Sequence, residues 1–423
     1  MPSSSKFPRL SERHSRISWV LLDQMVVSGG NFLLSVLIAR FLGITAYGEY
    51  VLLWIAATVL FTLQQSLIIR PMMSFGPKLE EHETLDYYST LTFQQLIFGL
   101  AGSTLMSGFV YFLLRWNDLD TSVIVPFYAA LFTWLWQDYI RRYFFTIERA
   151  KPAFYSDVLA YITRIGLLVA MSMHGHLNLG SVFWLIAATS LLGLIPGWSF
   201  LSKLRVSSEH FTENVRSHWR MGKWLSGSRL LQMATSEGPF AVAGAMLGAE
   251  VVGGMRATWN VLAMIHILFQ GMDNLVPVQG AKLFAAKGTG ALVAYLRKFT
   301  LLGGALTVFA MLVVVAVPEF WVNLFYGEEF LKYAWITRIQ AIIFVLIFLA
   351  HPLTYGLCAI EYTRPEMYVN AVATLVGAIL IFPMTQWWGI TGNMAAFGIA
   401  QAVAVYLMWR AFFDRIRQME TGS

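Results

Sequence analysis

The sequence predicts an all-α polytopic membrane protein with twelve transmembrane helices. Three observations predict it. Of 423 residues, 57% are hydrophobic and only 13% charged, about half the charge of a soluble domain. The apolar residues fall in continuous runs near the 20 or so that a spanning helix needs, without the alternation of a membrane barrel. The basic residues concentrate in every second connecting segment. A soluble enzyme, a disordered chain and a disulfide-stapled secreted domain are excluded together.

The runs fall, in order, at 17–38, 50–69, 89–114, 121–139, 153–173 and 179–201, then 224–247, 251–276, 299–324, 335–360, 367–387 and 390–409. Each is read as one helix. Between the sixth and seventh lies the polar stretch KLRVSSEHFTENVRSHWRMGKW. The organisation is therefore a tail 1–16, a six-helix bundle 17–201, a linker 202–223, a second bundle 224–412 and a tail 413–423. Arg216, Arg220 and Lys223 share roughly one side of the linker. It is either an interfacial helix on the anionic leaflet or an ordinary connection.

With the N-terminus in the cytosol, the inner segments hold 23 of the 30 Lys and Arg residues and the outer loops hold three, Arg40, Arg115 and Lys332. This inside-positive asymmetry supports an even helix count with both termini cytosolic. Net charge +6 belongs to these segments; no nucleic-acid-binding patch is present. The first run exceeds a signal-peptide core and is expected to act as an uncleaved anchor. Cys358 excludes an intrachain disulfide. His174 and His176, without a third ligand nearby, do not make a metal site, and none is expected, nor any cofactor.

An internal repeat appears at an offset of 205 residues. Trp19, Leu42, Gly43, Gly48 and Trp54 then meet Trp224, Leu247, Gly248, Gly253 and Trp259. Both copies carry Leu-Gly, four residues, then Gly, at a turn between helices. Helix one maps on helix seven in the same orientation. The two bundles are therefore expected to be parallel repeats, with a substrate held between them.

The segment ARFLGITAYGEY (Ala39–Tyr50) resembles the N-terminal signature of the polysaccharide transporter family, within the multidrug, oligosaccharidyl-lipid and polysaccharide (MOP) exporter superfamily. LGAEVVGGMRATWNVL resembles that family's helix seven to eight junction, and NLFYGEEFLKYAW the segment after helix nine, with Tyr326 inserted between Phe325 and Gly327. WWGITGNMAAFGIA resembles the turn before helix twelve, with Asn393 replacing a small residue. The resemblance implies a MOP/MATE-like fold and a bacterial inner-membrane flippase for a polyprenyl-diphosphate-linked oligosaccharide, of undecaprenyl type. The glycan that the resemblance implies is an O-antigen, capsule or exopolysaccharide unit, and the resemblance does not fix which. The partners implied are membrane lipid, a polysaccharide polymerase and glycosyltransferases.

Four basic residues remain inside the runs: Arg164, Arg229, Arg256 and Arg338. A charge at membrane depth is costly and faces a cavity or a partner. Arginine suits phosphate oxygens, so these four are the candidate contacts for the diphosphate. The competing reading pairs Arg229 with other helices and lets Arg256 and Arg338 snorkel from helix ends. Glu237, eight residues after Arg229, and Asp23 are candidate ion-coupling sites. Asp138, Arg141 and Arg142 stand where helix four meets the cytosol, as a gate or as an inside-positive anchor. Gly238-Pro239, Pro277 and Pro383 are expected kinks.

No Walker A, HExxH or GxSxG sequence occurs, so no enzymatic activity is expected. The alternative function is a MATE-like cation-coupled multidrug antiporter, which calls for a carboxylate-rich cavity in the N-terminal half. The N-terminal half offers only Asp23, with Asp138 and Asp157 near the cytosolic face, and arginines outnumber carboxylates within the runs.

Overall fold

The computed structural model describes residues 10–201, 211–264, 266–362 and 364–421. Residues 1–9 of the tail and 202–210 of the linker lie outside it. Every regular element among the described residues is helical: α1 (Leu10–Gln64), a π-helical turn (Gln65–Ile69), α2 (Arg70–Phe75), α3 (Glu81–Trp116), α4 (Ile124–Thr146), α5 (Ala150–Met173), α6 (Leu179–Gly193), α7 (Trp198–Leu201), α8 (Phe211–Leu247), α9 (Ala249–Ala263), α10 (His266–Ala316), α11 (Pro318–Tyr326), α12 (Ile336–Ala359) and α13 (Arg364–Thr421), with short 3₁₀ turns between some of them.

Among the described residues, seven helical stretches are long and apolar enough to cross a membrane, and Leu22–Lys78 and Arg364–Thr421, at 57 and 58 residues, can cross it twice. A 20-residue helix already spans about 30 Å. Three long helices contain a residue with non-helical backbone: Gly43 in α1, Gly288 in α10 and Gly389 in α13. Cutting there, and taking α9 with the part of α10 that follows it two residues later, gives twelve rods. The breaks fall at glycines, whereas Pro239, Pro277 and Pro383 lie inside continuous helix.

Several boundaries differ from the sequence reading. Helix four continues to Thr146, so Arg141 is not at an end; it is 8% exposed. The sixth run stops at Gly193 and turns through Ile195–Gly197, because Pro196 has no N–H to continue the helix. The ninth run ends at Ala316; Val317 is non-helical and Pro318 opens the separate α11. Residues 211–223 of the linker are the first turns of α8 itself.

Contacts divide the chain into two units. Unit 1 holds residues 1–42 and 53–229; unit 2 holds 43–52 and 230–423. The core of unit 1 joins Ile68, Ile69 and Met72 to Tyr88, Leu91, Tyr139 and Ile140. The start of α8 packs on this unit. His218 is 1% exposed, its Nε2 lies 3.0 Å from the Tyr87 hydroxyl, and a Cβ on Gly222 would come within 2.7 Å of the Ser66 carbonyl oxygen. Burial pushes the His218 imidazole down to about 4. The core of unit 2 gathers Leu292, Leu296, Tyr355, Leu357, Met408 and Phe412.

The 205-residue repeat is present in the backbone. Gly43 (φ 81°, ψ 173°) and Gly248 (φ 95°, ψ 166°) adopt nearly the same left-handed conformation at the same place in the motif. A residue with a Cβ is strained there, so the Leu-Gly pair marks a helix break in both copies.

Candidate functional site

Unit 1 holds a buried ionic cluster drawn from three helices and the π-helical turn. In α4, Asp138, Arg141 and Arg142 follow at i, i+3 and i+4, so helix geometry puts them on one face. Arg141 reaches Asp23 of α1 through Nη2 at 2.5 Å and Asp157 of α5 through Nε at 2.5 Å, with Asp138 at 3.9 Å. Its guanidinium also lies over the Phe145 ring. Arg142 Nε sits 3.3 Å from Asp138. Gln65 donates to Asp138 at 2.6 Å, and Gln137 to Asp157 at 3.2 Å.

Asp23, Asp157, Asp138 and Arg141 are 1%, 2%, 7% and 8% exposed. At such burial each charge depends on its partners, because desolvation costs several kcal/mol per ion. Three carboxylates face two guanidinium groups, which leaves one negative charge in excess. A proton or a small monovalent cation neutralises such a cluster. The π-helical turn places Gln65 at its edge; turns of this kind recur at functional sites.

The structure thus joins the expected ion-coupling residue Asp23 to the expected gate residues Asp138, Arg141 and Arg142. Asp157 was named only as a carboxylate near the inner face, and Gln65 and Gln137 not at all. A carboxylate inside an apolar run is the signal that marks Asp157. Gln65 and Gln137 are legible only once the helices are placed.

Arg164 is 2% exposed and donates to the hydroxyls of Thr189 at 2.9 Å and Ser190 at 3.1 Å, both on α6. Its guanidinium lies over the Tyr161 ring. Arg229 is exposed on α8. Its charge acts on that of Arg70, as does the charge of Arg142. Arg70 therefore lies within electrostatic reach of both Arg229 and Arg142. Arg70 was counted in the sequence only as an inside-positive charge.

In unit 2 two expected site residues pair with each other. Arg256 of α9 donates to Glu237 of α8 and lies over the Phe240 ring, 4.0 Å from its centroid. Arg338 faces Glu319 at 3.5 Å, and both side chains are about half exposed. Such an exposed pair contributes at most about 1 kcal/mol. Asn393, fully buried, donates to the Pro239 carbonyl at 3.1 Å and to the Thr385 hydroxyl at 3.2 Å. Glu250 accepts from Lys332 and Tyr333, which hold its carboxyl below the usual range.

Residues 15–279 match the family model "Polysaccharide biosynthesis protein", and residues 228–382 match the model "MatE". No curated protein sequence matches the chain. Among solved structures, the chain is similar to the lipid II flippase MurJ in an inward closed conformation: 12% identity, 93% of this chain and 87% of that one covered, TM-score 0.70. It is also similar to an inward-facing multidrug resistance MATE family transporter of the MOP superfamily, with 15% identity, coverage of 96% and 99%, and TM-score 0.70. An outward-facing transporter of the same description matches at 14% identity, coverage of 95% and 95%, and TM-score 0.63. These likenesses establish the fold. The first family match spans more than half of the chain, which therefore belongs to the polysaccharide biosynthesis protein family, and its long apolar helices make it a multi-pass membrane protein.

Proposed function

We propose that the protein is a flippase of the bacterial inner membrane that carries a polyprenyl-diphosphate-linked oligosaccharide from the inner to the outer leaflet by alternating access. Both termini lie in the cytosol in this reading. The observation that carries it is that Arg70 feels the charges of both Arg229 and Arg142 in a chain so sparing of charge. Like charges that act on one another are stabilised by an anion with several oxygens, which a diphosphate supplies. Arg70 and Arg142 fall in segments that the charge count assigns to the inner side, where a lipid-linked precursor is loaded, and Arg229 lies five residues into the run that follows the inner linker.

In this reading Arg229 and Arg70 draw the diphosphate in, while the prenyl chain stays in lipid. Arg142 divides its charge between the headgroup and Asp138. A headgroup that takes Arg142 leaves Asp138 more dependent on Arg141 and Gln65, which links loading to the ionic cluster. Ion coupling then rests on Asp23, Asp138 and Asp157, whose excess charge takes up a proton or sodium ion. Arg164, Arg256 and Arg338 serve the substrate only by leaving the partners they now hold, and Glu237 couples an ion only by releasing Arg256. A polysaccharide polymerase and glycosyltransferases are the partners that supply and consume the cargo.

One observation favours the antiporter reading. The carboxylates that a cation-coupled multidrug antiporter needs are present together in unit 1. Reconstitution into liposomes separates the two. Translocation of a polyprenyl diphosphate oligosaccharide, lost in Arg229→Ala, supports the flippase. Extrusion of an organic cation such as ethidium, with no movement of the lipid-linked glycan, supports the antiporter.

A further inference from the structure

The base of α8 carries a face that the transport reading leaves unused. Residues 211–223 precede the apolar part of that helix, 224–247. The apolar part is about 36 Å long at 1.5 Å per residue and crosses a hydrocarbon core of about 30 Å by itself. The stem 211–223 continues the same helix, so it stands up through the headgroup layer rather than lying flat along the leaflet. One side of the stem is seated on unit 1. His218 meets Tyr87, and Gly222 lies against the Ser66 carbonyl of the π-helical turn. Ser226, one turn further, is buried on the same side.

The opposite side is basic and aromatic. Arg216, Arg220 and Lys223 fall within about 60° of arc at about 100° per residue, and all three are exposed. Trp219 and Trp224 flank that arc and are 57% and 69% exposed. The Lys223 ammonium lies over the Trp224 ring, 5.4 Å from its centroid. The repeat marks the height of this tryptophan. Trp19, its counterpart 205 residues earlier, carries the Lys151 ammonium over its own ring at 5.5 Å. A tryptophan capped by a lysine suits the membrane–water boundary, where the ring meets lipid and the ammonium meets water.

Height along the stem then separates the charges. Lys223 and Arg220 stand about 1.5 and 6 Å above Trp224 along the axis, within a headgroup layer about 5–8 Å deep. Arg216 stands about 12 Å up, at the outer edge of that layer. Glu213, the one carboxylate on the stem, stands about 16 Å up. It is a screening length, about 8–10 Å, beyond Arg220 and is largely screened from it.

We propose that Arg220 and Lys223, between Trp219 and Trp224, bind the headgroup of an anionic phospholipid in the leaflet on the linker side, with Arg216 drawing it in. The phosphate takes the two cations, and the tryptophans pack on the glycerol and the upper acyl chains. A lipid held there fixes the height of α8 against the π-helical turn, whose Gln65 holds Asp138. The site is independent of the cargo, so it stands or falls separately from the flippase reading.

The test uses full-length protein with Cys358→Ser as background, in phosphatidylcholine nanodiscs. Gly227→Cys carries a bimane fluorophore. Position 227 lies on the basic side just below Trp224, and a Cβ there meets open space. Quenching is read on titration with phosphatidylglycerol or phosphatidylcholine bearing a nitroxide near the top of one acyl chain. Phosphatidylglycerol is expected to half-quench at about a tenfold lower mole fraction, since each cation near the surface contributes about fivefold. Arg220→Gln with Lys223→Gln is expected to bring the two lipids within about twofold. Glu213→Gln is expected to leave the preference within about twofold of the parent's.

Equal quenching by the two lipids in the parent overturns the proposal. So does a preference that survives Arg220→Gln with Lys223→Gln, because charges elsewhere on that side then draw the lipid. A preference that Glu213→Gln raises as much as the double variant lowers it also overturns it, since the long-range field rather than a local site is then at work. If the double variant does not fold, the parent in about 1 M salt serves instead, where the screening length falls to about 3 Å. The preference is expected to shrink at least about threefold there; a preference untouched by salt overturns the proposal.

Discussion

Replacing Arg141 by Gln tests whether the ionic cluster holds unit 1 together. The side chain is 8% exposed and makes two 2.5 Å contacts, to Asp23 and Asp157. At an effective dielectric near 20, each such pair is worth about 4 kcal/mol in gross Coulomb energy. Most of that only offsets desolvation. Removing one partner of a buried pair costs about 3–5 kcal/mol, because the carboxylates left behind are uncompensated. In a body of about 200 residues this lowers the melting temperature by roughly 10 °C. The assay is thermal unfolding of detergent-solubilised protein, followed by tryptophan fluorescence and by recovery of monodisperse protein. The decisive comparison is Arg141→Gln combined with Asp23→Asn and Asp157→Asn. That variant has no stranded charge and is expected to regain most of the loss, as neutral replacements of buried ion pairs do. If Arg141→Gln melts with the parent, or the triple variant melts no higher than the single one, the cluster does not hold unit 1 in the way described.

Three other outcomes follow from the geometry. Arg229→Ala is expected to reduce translocation of lipid-linked glycan at least about tenfold with normal membrane insertion, since it removes one of the three guanidinium groups proposed to bind the headgroup; glycan display in a complemented deletion strain reads it. His218, held near 4 by burial, is neutral in the folded protein while the unfolded chain takes up a proton below 6.5. The folded state therefore loses stability as the pH falls from about 6.5 toward 4, by about 3 kcal/mol in all, and acid unfolding of His218→Gln should show a flatter limb across that window. Asn393→Ala removes two buried donations, to Pro239 and Thr385, and is expected to destabilise unit 2 by about 1–2 kcal/mol, measured as a lowered melting temperature without loss of the helical circular dichroism signal.

The twelve rods were legible because bilayer thickness forces apolar runs of fixed length. The repeat was legible because a helix break needs a residue that tolerates left-handed backbone, and Gly43 and Gly248 both supply it. Boundaries were less legible where polar residues lie inside a helix. The apolar run of α4 ends at Tyr139, but the helix carries on to Thr146 because Asp138 and Arg141 satisfy each other and their neighbours. The site was half legible. Charge inside an apolar run singled out Asp23, Arg164, Arg229 and Arg256. It did not reveal that Arg256 pairs with Glu237, that Arg164 is held by two hydroxyls of α6, or that Arg141 gathers aspartates from three helices. Those pairings depend on which faces meet, and a run that is apolar nearly all round does not declare its faces.

The central claim is that the basic group at Arg70, Arg142 and Arg229 loads a diphosphate-linked glycan. Reconstituted protein should accelerate movement of a polyprenyl diphosphate oligosaccharide between leaflets, read by enzymatic trimming of the exposed sugar. The matching polyprenyl monophosphate should compete poorly. Combined Arg70→Ala and Arg229→Ala should abolish the acceleration and leave the cluster at Asp23 intact. Equal transport by the double variant, or no movement of any lipid-linked glycan alongside extrusion of an organic cation by the parent, would contradict it.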